Sequence, residues 1–271
     1  MPSVTVLLRT RNAGLDFGPL LDVLGRQRVA PAELLVVDSG STDGTPERAR
    51  AVGARVVPLD PGRFTHARST NLGFREAKGE IVAMLSQDAL PVGEEWLAAL
   101  VAPLEEPRVV AAFGRQVPRP GCFPLEAWEL GRCYPEGGPA GVVYSNVNSA
   151  ARRASWEEIP FDESVDIAED RLWALAQMAR RRRIVYVPEA SVIHSHAYTL
   201  RSVYRRCRDE ARVRREREGI QEAWSVLFRG WPKQTLRDAR RLSGEGRGRL
   251  WPQAAAYRLA QLAGVVAGGR P

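Results

Sequence analysis

The chain predicts an α/β fold: a mostly parallel sheet flanked by helices, followed by a basic helical extension. Three observations carry this reading. Short apolar runs rich in β-branched residues recur through the first half, helical patterns lie between them, and positive charge gathers towards the end. Val4–Leu8, Leu34–Val37 and Ile81–Leu85 read as buried parallel strands, with Arg55–Val57 a weaker one. The helical patterns fall at about Phe17–Arg28, Pro46–Val52 and Ala67–Ala77, with a further one from about Glu94 to Leu104. Thr45 before Pro46 reads as an N-cap followed by proline at the first helical position.

Beyond a strand at Val109–Phe113, residues 115–141 are rich in proline and glycine and read as a long loop. A helix is expected from about Ala168 into the run Arg180–Arg183, then short strands at Ile184–Val187 and Ser191–His194. From Thr199 the pattern is helical. Leu200, Val203, Tyr204, Cys207 and Ala211 form an apolar stripe, expected to dock on the preceding domain. Gly244, Gly246 and Gly248 should break the tail before a last helix over Ala254–Ala267. The expected division is a domain over 1–196 and an extension over 197–271.

Composition bounds the function. The 271 residues are 44% hydrophobic and 26% charged, enough to bury a core and too apolar for a disordered chain. Three cysteines, none at CxxC spacing, argue against a disulfide framework or a cysteine zinc cluster. No apolar run approaches the ~18 residues of a membrane span, and no basic stretch precedes the opening VTVLL, so a cytoplasmic protein is expected. Residues 197–271 hold 17 basic and 7 acidic side chains, a net +10, against 22 and 25 in the first 196, a net −3. Such asymmetry suits a solvated basic face or a polyanionic neighbour, including the inner surface of a membrane. Nucleic acid is not expected, because no recognition motif or aromatic interleaving accompanies the charge.

Ligands of open parallel sheets bind beyond the carboxyl ends of the strands. Three polar turns are expected there: Arg9-Thr10-Arg11-Asn12, Asp38 to Gly44, and Ser86-Gln87-Asp88-Ala89. Asp38 and Asp43 alone would be ordinary turn residues. Neither GxGxxG nor GxxxxGK[ST] is present, so the usual dinucleotide and P-loop readings lack their phosphate loops.

The runs LLRTRN, LLVVDSGSTDGT and FTHARSTNLGFREAKGEIVAMLSQDALP, with a downstream Glu-Asp pair, resemble the GT-A family 2 glycosyltransferases over about residues 3–196. The resemblance implies a Rossmann-like nucleotide-sugar-binding sheet and a nucleoside diphosphate sugar as donor. It implies that Thr10, Arg11 and Asn12 line the nucleoside pocket and that Asp38 accepts a hydrogen bond from a pyrimidine N–H. Arg68 and Asn71, at i and i+3 near a helix start, are expected to contact the diphosphate or base. Family members usually carry Asp-x-Asp at the strand end, binding a divalent cation; here the run is Gln87-Asp88-Ala89, with one carboxylate. Mg²⁺ held through substrate phosphates needs only one or two carboxylates, so Mg²⁺ or Mn²⁺ remains the expected cofactor. SQDALP also resembles a rhamnosyltransferase-like subgroup, which implies a dTDP-linked sugar, with UDP- and GDP-linked donors as alternatives.

The resemblance makes Asp170 the catalytic base and Glu169 its acceptor-side neighbour, although acids in a first turn also simply balance a helix dipole. Asn146 and Asn148 alternate along an extended segment and could face a glycan or lipid-linked acceptor or simply form a polar turn. His194 and His196 share a face by the same alternation; they could ligate the cation, meet the diphosphate or simply sit as polar strand-end residues. The expected activity is inverting sugar transfer. A nucleotidyltransferase and a non-catalytic basic binding module are the rivals; the first should carry a better phosphate loop than RTRNAG, and the second should bind polyanions in a salt-sensitive way.

Overall fold

The computed structural model describes residues 2–138, 144–220 and 230–269. The chain forms two compact units, Met1–Ser195 and His196–Pro271.

The first unit is built on an eight-stranded sheet of order β3-β2-β1-β4-β7-β6-β8-β5. Its strands are β1 (Val4–Thr10), β2 (Glu33–Asp38), β3 (Arg55–Pro58), β4 (Ile81–Ser86), β5 (Leu90–Pro91), β6 (Val109–Val117), β7 (Asn148–Arg152) and β8 (Arg183–Ile193). β1, β2, β3 and β4 are parallel neighbours, as the apolar runs predict. β7 runs antiparallel to both β4 and β6, so β6 and β8 point the same way as β4. The ends of β1, β2, β4, β6 and β8 therefore share one edge with the start of β7.

Period-two alternation divides the core into two layers. Val6, Leu8, Val36, Ala83 and Leu85 pack on Phe17, Leu20 and Leu24 of α1 (Phe17–Gly25) and on Trp96 and Leu97 of α4 (Trp96–Val101). On the other face Leu7, Leu35, Val37, Val82 and Met84 pack on Ala67 and Phe74 of α3 (His66–Glu76), Trp156 of α6 (Arg153–Glu158) and Trp173 of α7 (Glu169–Ala179). At Gly73 an added Cβ would lie 2.3 Å from Leu7 Cδ2, so a glycine there lets α3 press against β1.

The structure differs from the sequence reading at several places. The proline-rich stretch after β6 contains α5 (Pro124–Cys133), started by a proline at the first helical position; residues 139–141 of the expected loop lie outside the described residues. The two expected short strands are one strand, β8, with a register shift against β6 between Gly114 and Gln116. Thr45 is not a cap. It is the first residue of α2 (Thr45–Ala51), with Gly44 before it at φ 80°, and its N–H and hydroxyl both donate to Asp43. β7 is a strand that alternation alone did not reveal.

The second unit contains α8 (Leu200–Glu218), α9 (Trp231–Gly244) and α10 (Trp251–Gly269). Thr199 and Ser202 form a reciprocal cap at the start of α8. A Cβ on Gly264 or Gly268 of α10 would fall 2.4 Å from Tyr204 O or 2.0 Å from Arg208 O, so the two helix backbones touch through glycine. Cys207 and Ala211 of the apolar stripe face these glycines, so α10 covers part of the stripe. Asp238 and Arg258 form a buried ion pair at 2.7 Å, supported by Gln234 and Gln261. Among the described residues, no helix is long and apolar enough to cross a membrane.

Candidate active site

The first two turns are latched together. Thr10 and Ser41 hydroxyls donate to Asp38 Oδ1 at 2.8 and 2.6 Å, and the Gly40 and Ser41 N–H groups donate to Oδ2 at 3.1 and 2.9 Å. A carboxylate has about four acceptor positions, so those of Asp38 are spent inside the turn. Asp38, expected to meet a pyrimidine N–H, thus organises the loop in this structure. Asn12, at φ 48°, accepts from Thr42 N–H at 2.8 Å, and its own N–H donates to Ser41 Oγ. Asp43 takes bonds from Thr45 and Gly14; the Thr45 hydroxyl leads in holding its carboxyl down to about 2.

The third turn is tied to the first. Arg11 N–H donates to Gln87 Oε1 at 2.8 Å, and Gln87 Nε2 donates back to Arg11 O at 3.2 Å. Gln87 is thus a two-point clasp on the Arg11 backbone. Asn71 also has a different task from the expected one. It is 2% exposed, and its amide accepts from Trp156 Nε1 and Phe161 N–H while donating to Phe161 O and Glu163. Arg68, one turn earlier, is half-exposed and pairs with Glu163 at 3.3 Å.

Asp88 follows β4 with its side chain 38% exposed. Its Oδ2 lies 3.7 Å from Nε2 of the buried His194, just past β8. Nδ1 of His194 lies 2.9 Å from Gln116 Oε1 on β6. An amide oxygen only accepts, so Nδ1 carries the proton and Nε2, towards Asp88, is the lone-pair nitrogen. A carboxylate beside an imidazole so oriented fits a divalent cation shared with phosphate oxygens. His196 is the first residue of the second unit, where its ring packs on Tyr198.

Asp170 sits in the first turn of α7, after Ala168 at φ 65°. Its Oδ1 accepts from Arg171 N–H at 2.7 Å and its Oδ2 from Asn146 N–H at 3.1 Å. Burial, then the adjacent Glu169 charge, pushes its carboxyl up to about 6, against the Asn146 and Arg171 N–H groups and Arg9. Burial also raises Glu169. Asn146 is 2% exposed, and its buried amide faces Glu169, where it favours the ionised carboxylate. The amide of Asn148, an expected acceptor contact, is spent within the sheet. It accepts from Trp96 Nε1 and donates to Arg115 O and Ala190 O, stitching β7 to β6, β8 and α4.

Three residues that the sequence reading left without a role stand at this edge. Arg9, on the α3 and α7 side of β1, donates to Thr70 Oγ1 at 3.0 Å and to His66 O at 3.4 Å, and favours the ionised forms of Glu169 and Asp170. Gln116 orients His194. Arg119 donates to the backbone oxygen of Asp88. Arg9 could have been found as the inward neighbour of Thr10. Gln116 and Arg119 carry no local signal, because only the β6–β7–β4 pairing brings them beside Asp88.

Polar turns, an acid–imidazole pair and a buried acid pair thus gather around the strand ends of this sheet. The chain belongs to the family described as Glycosyl transferase family 2, which matches residues 5–206. It is 29% identical over 218 residues to the O-antigen chain rhamnosyltransferase RfbN of Salmonella typhimurium, across 75% of this chain and 69% of that protein. To the O-antigen chain rhamnosyltransferase WbaN of Salmonella anatum it is 30% identical, across 76% and 70%. In fold it is similar to the mannosyltransferase PcManGT of Pyrobaculum calidifontis, solved with GDP-Man and Mn²⁺. The TM-score is 0.72 at 21% identity, over 98% of this chain and 87% of that one. Glucosyl-3-phosphoglycerate synthase of Mycobacterium tuberculosis, solved with Mn²⁺, UDP and phosphoglyceric acid, gives 0.61 at 24% identity over 82% and 80%.

Proposed function

We propose that the chain is an inverting transferase that moves a sugar, L-rhamnose, from a nucleoside diphosphate to a hydroxyl of a saccharide or lipid-linked acceptor. One observation supports this reading above others. Ser86 N–H donates to Val147 O at 3.0 Å, and the residue before Val147, Asn146, donates its N–H to Asp170. Through that short relay the acid after β4 and the acid opening α7 stand at one edge of the sheet. The names of the two Salmonella relatives support rhamnose as the sugar.

In this reading the acceptor hydroxyl attacks the anomeric carbon while the bond from that carbon to the diphosphate breaks. Asp170 takes the hydroxyl proton. With a carboxyl raised to about 6, it is ionised at neutral pH yet more basic than an ordinary aspartate. Glu169 stands beside it on the acceptor side. Arg11 and the clasped loop around Asn12 border the nucleoside, and Arg68 stands ready for phosphate at the start of α3. Asp88 and His194 would hold the divalent cation, which when bound supplies positive charge to the departing diphosphate; His196 stays a candidate on its spacing from His194. The tail's +10 charge supports attraction to an anionic membrane surface, which suits a lipid-linked acceptor.

The test is product release. With dTDP-L-rhamnose, UDP-glucose and GDP-mannose as donors, one of them should yield its nucleoside diphosphate in the presence of an acceptor and Mn²⁺. Release of pyrophosphate, or of no product from any donor, would overturn the reading.

A further inference from the structure

Arg119 lies between Pro118 and Pro120 just beyond β6, and three segments converge on it. Its backbone N–H donates to Ser195 Oγ at 3.1 Å, after β8. Its Nη2 donates to Asp88 O at 2.5 Å, after β4. Its Nη1 pairs with Asp16 Oδ2 at 2.8 Å, in the helical turn that follows β1. The guanidinium is therefore held by a backbone carbonyl at the residue that carries the lone acid of this turn.

We propose that Arg119 is a second, metal-independent binding group for the diphosphate of the donor. This rests on the reading of the chain as a nucleotide-sugar transferase and names a further residue of that site. Two physical arguments carry it. First, a guanidinium has five N–H donors, and Arg119 uses two of them among the described residues. Its side chain is 36% exposed, so the rest can meet a ligand, and its planar fork suits phosphate oxygens. Second, its ionic partner is easily displaced. Asp16 is 62% exposed, and solvent-exposed ion pairs contribute little. A diphosphate with two or more negative charges should take the place of that carboxylate while the bond to Asp88 O keeps the guanidinium in position. The turn provides one carboxylate for a cation, Asp88 between Gln87 and Ala89, so a fixed positive charge beside it adds to the field that favours the departing phosphate.

The test uses the full-length protein as wild type, Arg119→Gln, Arg119→Lys and Asp16→Asn. Each is titrated calorimetrically with the diphosphate among UDP, GDP and dTDP that the wild type binds best, and with its monophosphate, in EDTA and in Mn²⁺. Arg119→Gln should lose about tenfold in diphosphate affinity in EDTA while the monophosphate changes by less than about twofold. Arg119→Lys should recover part of the loss, and Asp16→Asn should bind the diphosphate more tightly than wild type. Unchanged diphosphate affinity in Arg119→Gln, or equal weakening of both nucleotides, would reduce Arg119 to a loop strut and overturn the proposal. A wild type that binds none of the three diphosphates would overturn the transferase reading itself.

Discussion

The backbone N–H of Asn146 donates to Oδ2 of Asp170 across 3.1 Å, although 24 residues separate them in sequence. That bond holds the carboxylate against the loop leading into β7, at the edge where β4 delivers Asp88. It also favours the ionised form of Asp170, which burial and Glu169 oppose.

The acid limb of the reaction should therefore lie near pH 6 and belong to the Glu169–Asp170 pair jointly. Below it, transfer should fall about tenfold per pH unit. Glu169→Gln removes the neighbouring negative charge, so the limb should move to lower pH. A pH–rate profile of kcat/KM checks both; a limb that stays in place in Glu169→Gln would separate the two acids. Asp170→Asn should cost at least about 10²-fold in kcat and leave donor affinity near wild type.

Stability should follow the same linkage. The folded-state value for Asp170, about 6, lies above its ordinary 3.8. Its favourable contribution is thus present below about pH 4 and lost as pH rises through 6. Asp170→Asn should raise Tm at pH 7.5, and the gain should shrink as the pH approaches 4. Thermal melts at both pH values measure this.

Gln116 should matter to the cation without touching it. Gln116→Ala frees the imidazole of His194 to turn or change tautomer, and Mn²⁺ affinity measured with nucleoside diphosphate present should fall about 10–100-fold. Asp88→Ala should lower nucleotide affinity in Mn²⁺ and far less in EDTA. Equal affinity in Mn²⁺ and EDTA for the wild type would remove the cation from the site.

Asn148 should prove to be a stability residue. Asn148→Ala leaves Trp96 Nε1, Arg115 O and Ala190 O without this partner. Buried polar groups left in this way cost about 1–3 kcal/mol each, so chemical denaturation should show a loss of about 3 kcal/mol or more.

The tail has its own test. Asp238→Ala strips the buried Arg258 of its counter-ion, and breaking such a pair costs about 3–5 kcal/mol. Limited proteolysis should cut the variant within 230–269 well before the wild type, with the first unit left intact.

The parallel strands, the polar turns after them, the acid pair opening α7 and the basic tail are all legible in the residue order. All are local patterns: strands and helices follow apolar period, and turns follow Gly, Asp and Ser chemistry. Local pattern does not say which polar atoms are already spent. Asp38, Asn71, Gln87 and Asn148 read as candidate ligand contacts, yet each spends hydrogen bonds on chain segments 2 to 92 residues away. Conversely, Gln116 and Arg119 come beside Asp88 only because antiparallel β7, inserted between β4 and β6, brings separate loops to one edge. A side chain's chemistry is written in its residue type, but whether its donors and acceptors face a ligand or a neighbour is settled by long-range strand pairing.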